Sequence, residues 1–171
     1  LAGLSRATLE ELGRECLGRL RARVFPQARA AIGAARARGD RVVLATSSLD
    51  LIVRPLADEL GVDELIASTL EFDHGVCTGA LAGELPFGER KRDRCLAYLR
   101  SCGVEAGQCS FYSDSSHDLP LLEAVGRPVA VNPDTALRRE ARSRGWPTLR
   151  WTLGLRRPPR PPRAPRAARR H

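Results

Sequence analysis

The sequence predicts an α/β fold in which βαβ units build a mostly parallel sheet. Short apolar runs typical of buried strands alternate with longer stretches whose apolar residues recur at helical spacing. Glycines follow most of the helical stretches, where a left-handed residue commonly ends a helix. Alternation of this kind indicates parallel strands joined by right-handed helical crossovers. A chain of 171 residues, 43% of them hydrophobic, fits one domain with a core of ordinary size.

Two helices are predicted ahead of the first strand. Apolar residues recur at helical spacing through residues 9–24, and Thr8 with Glu11 has the pattern of a capping box. A second helix is predicted to begin at Pro26, because proline is favoured in the first turn, and to end before Gly39.

The first strand is predicted at residues 41–45, with the sequence RVVLA, and is expected to end in the polar turn 46–48. A helix over about residues 49–60 follows and stops at Gly61. Pro55 is expected either to kink this helix or to mark its true start.

The rest of the chain predicts a hairpin and then further alternation of helices and strands. Residues 64–72 are expected to be extended, to turn at 73–75 and to return as a short strand at 76–78. The later elements are predicted as a helix at 89–102, a strand at 108–113, a helix from Asp118 to Gly126, a strand at 128–131, a helix capped by Asp134 that ends near Gly145, and a strand at 147–152.

The positive charge of the chain is concentrated at its C-terminus. The formal net charge is +8, and residues 155–171 contain seven arginines and no acidic residue. The remaining residues are therefore nearly neutral. Five prolines in the same stretch predict a disordered tail with polyproline II character. Nucleic-acid binding is disfavoured and would involve this tail alone, and a read-through or untuned extension without function is the favoured interpretation.

Neither a membrane span nor a disulfide framework is indicated. No apolar run approaches the length needed to cross a bilayer. The five cysteines are odd in number and show no CxxC spacing, which predicts reduced thiols in a cytoplasmic protein rather than a zinc site. Cys95 and Cys109 fall on apolar faces and are expected to be small core residues.

Two carboxylates lie where a predicted strand passes into a helix. Asp114 and Asp118 follow the strand at 108–113, and ligands of open α/β sheets bind at that edge. Free N–H groups of the helix's first turn are expected to favour an anion there. The two aspartates can hold a hard cation such as Mg²⁺, so the segment predicts a site for phosphate chemistry.

A lysine and a threonine are the other candidate site residues. Lys91 is the only lysine among 28 basic residues, and its compact ammonium group suits a phosphate site better than the arginine fork does. Thr46 directly follows a predicted strand and can donate its hydroxyl to a phosphate oxygen. Taken singly, Lys91 is better explained as a solvent-facing lysine, and Thr46 is explained at least as well as a helix cap. His117 has no partner that would indicate a metal ligand.

Taken together, the motifs resemble those of the haloacid dehalogenase superfamily, in the branch that includes phosphoserine phosphatase. The resemblance covers about residues 1–152. It rests on RGDRVVLATSSLD around Thr46, TLEFDHGVCTGALAG after it, GERK at Lys91, SDSSHD at Asp114 and Asp118, and PVAVNPD beyond them.

The resemblance implies a fold and a reaction. The fold is a three-layer, Rossmann-like core at residues 26–154, preceded by the end of a helical cap at 1–25 and followed by the tail at 155–171. The reaction is hydrolysis of a small phosphorylated metabolite, such as phosphoserine, through an aspartyl-phosphate. Within it, Thr46, Ser47 and Lys91 bind the phosphate, Asp114 and Asp118 serve Mg²⁺, and Lys91, Thr46 and Asp118 take part in catalysis.

One motif of the family is not found in the sequence. Family members carry a DxDxT strand whose first aspartate is the nucleophile, and no two aspartates here are separated by two positions. In the family that strand lies between the strands that bear Thr46 and Asp114, so two apolar strand edges are expected to be unpaired here, an association hazard.

We therefore expect the nucleophile-bearing segment to have been lost or not included, and the chain as given to hydrolyse phosphate esters negligibly. The alternative is a non-catalytic module that binds phosphate or Mg²⁺, or a truncated product. A Rossmann dinucleotide site or a P-loop is disfavoured, because neither GxGxxG nor GxxxxGK[ST] occurs.

Overall fold

The computed structural model describes residues 1–154. The predicted disorder of the 155–171 tail, and any nucleic-acid contact it makes, lie outside the described residues. None of the helices within residues 1–154 combines the length and the apolar character that crossing a bilayer requires.

Two helices come first, as predicted. Helix α1 spans Arg6–Arg21 and helix α2 spans Pro26–Ala37. The predicted capping box at Thr8 is wrong, because Ser5 has the extended backbone of an N-cap and its Oγ accepts a 3.1 Å hydrogen bond from the Thr8 N–H. The N-cap thus lies three residues earlier, and Thr8 belongs to the first turn of α1. Helix α1 packs on α3 (Asp50–Leu60) so closely that a Cβ at Gly13 would collide with the Leu51 carbonyl.

The first strand is longer than predicted. Strand β1 spans Val43–Leu49 and pairs in parallel with β2, Glu64–Ser68. The polar residues 46–48 form an irregularity inside β1, since Ala45 and Leu49 pair with Ile66 and Ser68, two residues apart. The expectation that the strand ends at 45 is therefore wrong. Pro55 lies inside α3, which excludes the alternative that it marks the start of the helix.

The extended stretch predicted at 64–72 is divided between two sheets. Strand β3, Leu70–Asp73, leaves β2 at Thr69 and forms a separate antiparallel hairpin with β4, Val76–Leu81. Positive φ angles at His74 and Gly75 make the predicted turn, and β4 continues beyond the predicted end at residue 78.

The second half follows the predicted order with shifted boundaries. Its elements are α4 (Glu89–Ser101), β5 (Ser110–Ser113), α5 (Leu119–Ala124), β6 (Arg127–Val131), α6 (Thr135–Arg144) and β7 (Thr148–Leu149). A short 3₁₀ turn, Ser116–Asp118, precedes α5, so the α-helix begins one residue after Asp118. The last strand is only two residues long, because after Leu149 the chain bonds to the side chain of Asn132 instead of to β6.

Helices pack on both faces of strand β2. Leu65 and Ala67 pack with Val53 and Ala57 of α3, whereas Ile66 packs in another cluster with residues of α4 and α5. Alternate residues of a strand point to opposite faces, so this arrangement is a three-layer, Rossmann-like α/β core.

The parallel strands form two sheets rather than one. Strands β1 and β2 make the first, and β5, β6 and β7 make the second. Within residues 1–154, β1 pairs only with β2 and β5 only with β6, which confirms the expectation of two unpaired edges. One apolar cluster contains residues of both sheets. The Cys95 thiol is buried in this cluster, as predicted, and that burial raises its pKa to about 11. Cys109 packs against this cluster and is only partly buried.

Candidate active site between the two sheets

A pocket of about 510 Å³ opens between the carboxyl ends of β1 and β5. The structure brings all five predicted site residues to its wall. Its lining comprises residues 45–48 of β1, residues 111–115 on and after β5, and Phe87, Lys91, His117 and Asp118. Residues far apart in the sequence thus meet at one edge of the α/β core, where ligands of such folds bind.

Two of the residues that line this pocket form a buried ion pair. Lys91 Nζ lies 2.6 Å from Asp118 Oδ1, and both residues are only 7% exposed. The second oxygen of Asp118 accepts a 2.7 Å hydrogen bond from the Ser113 hydroxyl, and Ser113 is equally buried. Both oxygens of Asp118 are therefore engaged, as a buried carboxylate requires. These contacts fix the orientation of the Lys91 ammonium group.

Sequence reasoning missed Ser113. Its Oγ also accepts a 3.1 Å hydrogen bond from the Ser115 N–H, so one hydroxyl fixes both the ion pair and the start of the Asp114 loop. The available signal was its position at the carboxyl end of β5, directly before Asp114.

Asp114 differs from Asp118 in being exposed to the pocket. Among the described residues its carboxylate has no hydrogen-bond or ion-pair partner, and its backbone carbonyl accepts a 2.8 Å hydrogen bond from the Asp134 N–H. This carboxylate is therefore uncommitted and available to a ligand.

Asp134 was predicted as a helix cap and also anchors the Asp114 loop. One carboxylate oxygen accepts from the Leu137 N–H at 2.8 Å, and the other accepts from the Ser116 N–H at 2.7 Å. These backbone hydrogen bonds, from Leu137 first and Ser116 second, lower the pKa of Asp134 below its ordinary value. The cap could be read from sequence spacing, but the second contact joins residues 18 positions apart.

The expected anion hole at the start of the helix after Asp114 is wrong. The N–H groups of Ser115, Ser116 and His117 bond to the side chains of Ser113, Asp134 and Ser115, and the N–H of Asp118 bonds to the Ser115 carbonyl. Short polar side chains satisfy these donors locally, so they are not free for a phosphate.

The β1 side of the pocket supplies hydroxyl groups. Thr46 Oγ1 accepts a 3.1 Å hydrogen bond from the Ser48 N–H, which leaves its own hydroxyl hydrogen able to donate into the pocket. The Ser47 hydroxyl instead donates to the Pro86 carbonyl at 2.9 Å, and the Ser47 carbonyl accepts from Ser68 Oγ at 2.8 Å. The side chain of Ser47 therefore holds the loop before α4 in place.

The donor set suits a cation that binds few protein ligands. No group of three or more His, Cys, Asp or Glu side chains able to hold a metal occurs within residues 1–154. Mg²⁺ is usually held by one or two carboxylates together with waters and phosphate oxygens. The uncommitted Asp114 carboxylate fits such a role, whereas the oxygens of Asp118 are already bonded.

Comparisons with known proteins place these features in a family. A model described as haloacid dehalogenase-like hydrolase matches residues 1–123. A histidinol-phosphatase of Neisseria meningitidis serogroup C is 34% identical over 154 residues, which cover 87% of this chain and 69% of that protein. A phosphoserine phosphatase of Mycobacterium tuberculosis is 36% identical over 108 residues, which cover 63% of this chain and 35% of that protein.

A solved structure has the same architecture. It belongs to a protein of unknown function from Bordetella pertussis Tohama I, is 35% identical and superposes with a TM-score of 0.79 over 88% of this chain and 68% of that one. Several curated relatives are much longer than the matched region, and the chain spans about half of their length or less.

Proposed function

This chain belongs to the haloacid dehalogenase-like hydrolase family, and on that premise we propose that the whole protein is a Mg²⁺-dependent phosphomonoester hydrolase. The observation that carries the proposal is the convergence of Thr46, Lys91 and Asp114 on one pocket. A hydroxyl donor, an ammonium group and an uncommitted carboxylate are the groups needed to hold a phosphate together with its metal.

Each side chain has a role that follows from its contacts. Lys91, oriented by Asp118 and Ser113, neutralises phosphoryl oxygens as the alcohol leaves. Thr46 donates its hydroxyl to another phosphoryl oxygen, and the backbone of Ser47 lies beside it. Asp114 would hold Mg²⁺, which would supply positive charge to stabilise the negative charge on the phosphoryl group. These groups position and neutralise the phosphate, and they do not attack it.

The nucleophile is proposed to lie on a strand that is absent from these 171 residues. The unpaired edges of β1 and β5 support this idea, since a parallel strand between them would place its carboxyl end at the pocket. An aspartate there would form the aspartyl-phosphate that the family resemblance implies. Without it, the chain is proposed to retain phosphate and metal binding and to lack turnover.

The substrate class is proposed to be small phosphorylated metabolites. Relatives named histidinol-phosphatase and phosphoserine phosphatase support this class but do not identify one substrate within it. A cytoplasmic setting is proposed in addition, because all five cysteines are free thiols.

A turnover assay tests the proposal. The chain is expressed alone and also preceded by the residues encoded upstream in its reading frame, and both proteins are given p-nitrophenyl phosphate with Mg²⁺. We expect turnover only from the extended protein, and we expect Asp114→Asn to lower it by roughly 10²-fold or more, the usual cost of removing one stabilising group. Robust turnover by the 171-residue chain would contradict the proposed location of the nucleophile.

A non-catalytic phosphate-binding module is the second candidate. It is favoured by the absence of a DxD pair from the sequence. An upstream reading frame that lacks a DxDxT strand, together with phosphate binding by the chain, would favour this candidate over the enzyme.

A further inference from the structure

Two aromatic rings line the pocket and have no role in the proposed reaction. The rings of Phe87 and His117 are 4.5 Å apart between centroids and tilted by 43°, and both residues line the pocket beside Lys91 and Asp118. They come from different elements, the loop before α4 and the 3₁₀ turn after β5. The two elements thus contribute one ring each to the pocket that the buried ion pair also lines.

The backbone holds Phe87 firmly while its side chain stays open to solvent. Pro86, directly before it, is fully buried, and its carbonyl accepts the Ser47 hydroxyl hydrogen bond. Gly88, directly after it, has a φ of 55°, and the Phe87 carbonyl accepts a 3.2 Å hydrogen bond from the Arg90 N–H. Nevertheless Phe87 is 45% exposed. The fixed backbone thus presents a large apolar ring to a pocket whose other lining residues are mostly polar, and the neighbouring His117 ring extends this flat surface.

From this geometry we infer that Phe87 and His117 form a subsite for the alcohol part of the substrate, and that this part carries a flat aromatic or heteroaromatic ring. The inference rests on the proposed function, because the phosphate group must occupy Lys91 and Thr46 for the ring to reach the pair. Offset and edge-to-face packing favours flat partners over alkyl chains of similar size. Both residues are exposed, so the subsite is accessible to a leaving group that extends from the bound phosphate.

Binding of three ligands to the 171-residue chain tests the inference. The probes are inorganic phosphate, ethyl phosphate and phenyl phosphate, titrated by isothermal calorimetry with Mg²⁺ present. We expect phenyl phosphate to bind about three- to tenfold more tightly than ethyl phosphate. Phe87→Leu keeps an apolar side chain of similar volume and should abolish this preference without changing the affinity for inorganic phosphate. His117→Ala should reduce the preference.

Tyr112→Leu is the matched control. Tyr112 also lines the pocket and is 46% exposed, but its ring stacks on Trp151 at 6.0 Å between centroids. The preference for phenyl phosphate should survive this substitution.

The outcomes separate the inference from the proposed function. If inorganic phosphate binds and phenyl phosphate has no advantage, or keeps its advantage in Phe87→Leu, the subsite is overturned and the phosphate site stands. If none of the three ligands binds, both proposals are overturned.

Discussion

Asp114 and Asp118 lie four positions apart on the wall of one pocket, yet the structure uses them in opposite ways. Asp118 is buried, and its two oxygens are bonded to Lys91 and Ser113. Asp114 is exposed, and within residues 1–154 its carboxylate has no partner. The contrast predicts that the fold needs Asp118 in order to be stable, whereas it leaves the Asp114 carboxylate available to a ligand. Substituting each should therefore affect different measurements.

The largest expected effect on stability is that of Asp118→Asn. This change leaves the Lys91 ammonium group buried without a counter-charge, and breaking a buried pair in this way typically costs about 3–5 kcal/mol. Urea unfolding followed by circular dichroism measures the loss. Asp114→Asn is the control and should change the free energy of unfolding by less than about 0.5 kcal/mol. Equal losses in the two variants would contradict the assigned difference.

A smaller loss is expected for Ser113→Ala. The substitution removes the hydroxyl that donates to Asp118 and that accepts from the Ser115 N–H. Leaving buried polar groups unpaired costs about 1–3 kcal/mol, so we expect a loss in this range by the same urea experiment. The loss should be smaller in the Asp118→Asn background, because the part of it that acts through Asp118 is already gone, whereas the hydrogen bond from the Ser115 N–H is still there to be lost. Additive losses would show that Ser113 does not act through Asp118.

The smallest of these stability effects belongs to Asp134→Asn, and it should depend on pH. The pKa of Asp134 is lower in the folded protein, so its carboxylate stabilises the fold above the pKa of the unfolded chain, about 4. That contribution is lost as the pH falls through the folded pKa. We expect Asp134→Asn to lower the free energy of unfolding by about 0.3–1 kcal/mol at pH 7, because asparagine caps a helix about as well as aspartate and only the attraction between the carboxylate charge and the helix N-terminus is lost.

Unfolding at pH 3 supplies the second half of this test. The difference between the native sequence and Asp134→Asn should be smaller at pH 3 than at pH 7, because protonation of Asp134 weakens the same hydrogen bonds. A difference that grows as the pH falls would contradict the role given to the Leu137 and Ser116 N–H groups.

The order of helices and strands could be predicted because it depends on local periodicity and on glycine and proline positions. Features set by contacts between distant residues could not. Residues 46–48 are irregular because β1 pairs with β2 again only at Leu49, opposite Ser68. Ser5 caps α1 because its own backbone is extended. The five candidate site residues were identified from their motifs, but the contacts of Ser113 and Asp134 that hold Asp118 and the Asp114 loop depend on the folded structure.

The central claim, that Lys91 and Thr46 bind phosphate in this pocket, is tested most directly through the lysine itself. Lys91 is the only lysine in the chain, so labelling lysine with ¹³C and ¹⁵N gives one side-chain NMR signal to follow. Titration with inorganic phosphate should shift that signal in a saturable way, and Thr46→Val should weaken the binding. A Lys91 signal that phosphate does not move, in a chain whose other resonances show it to be folded, would contradict the claim.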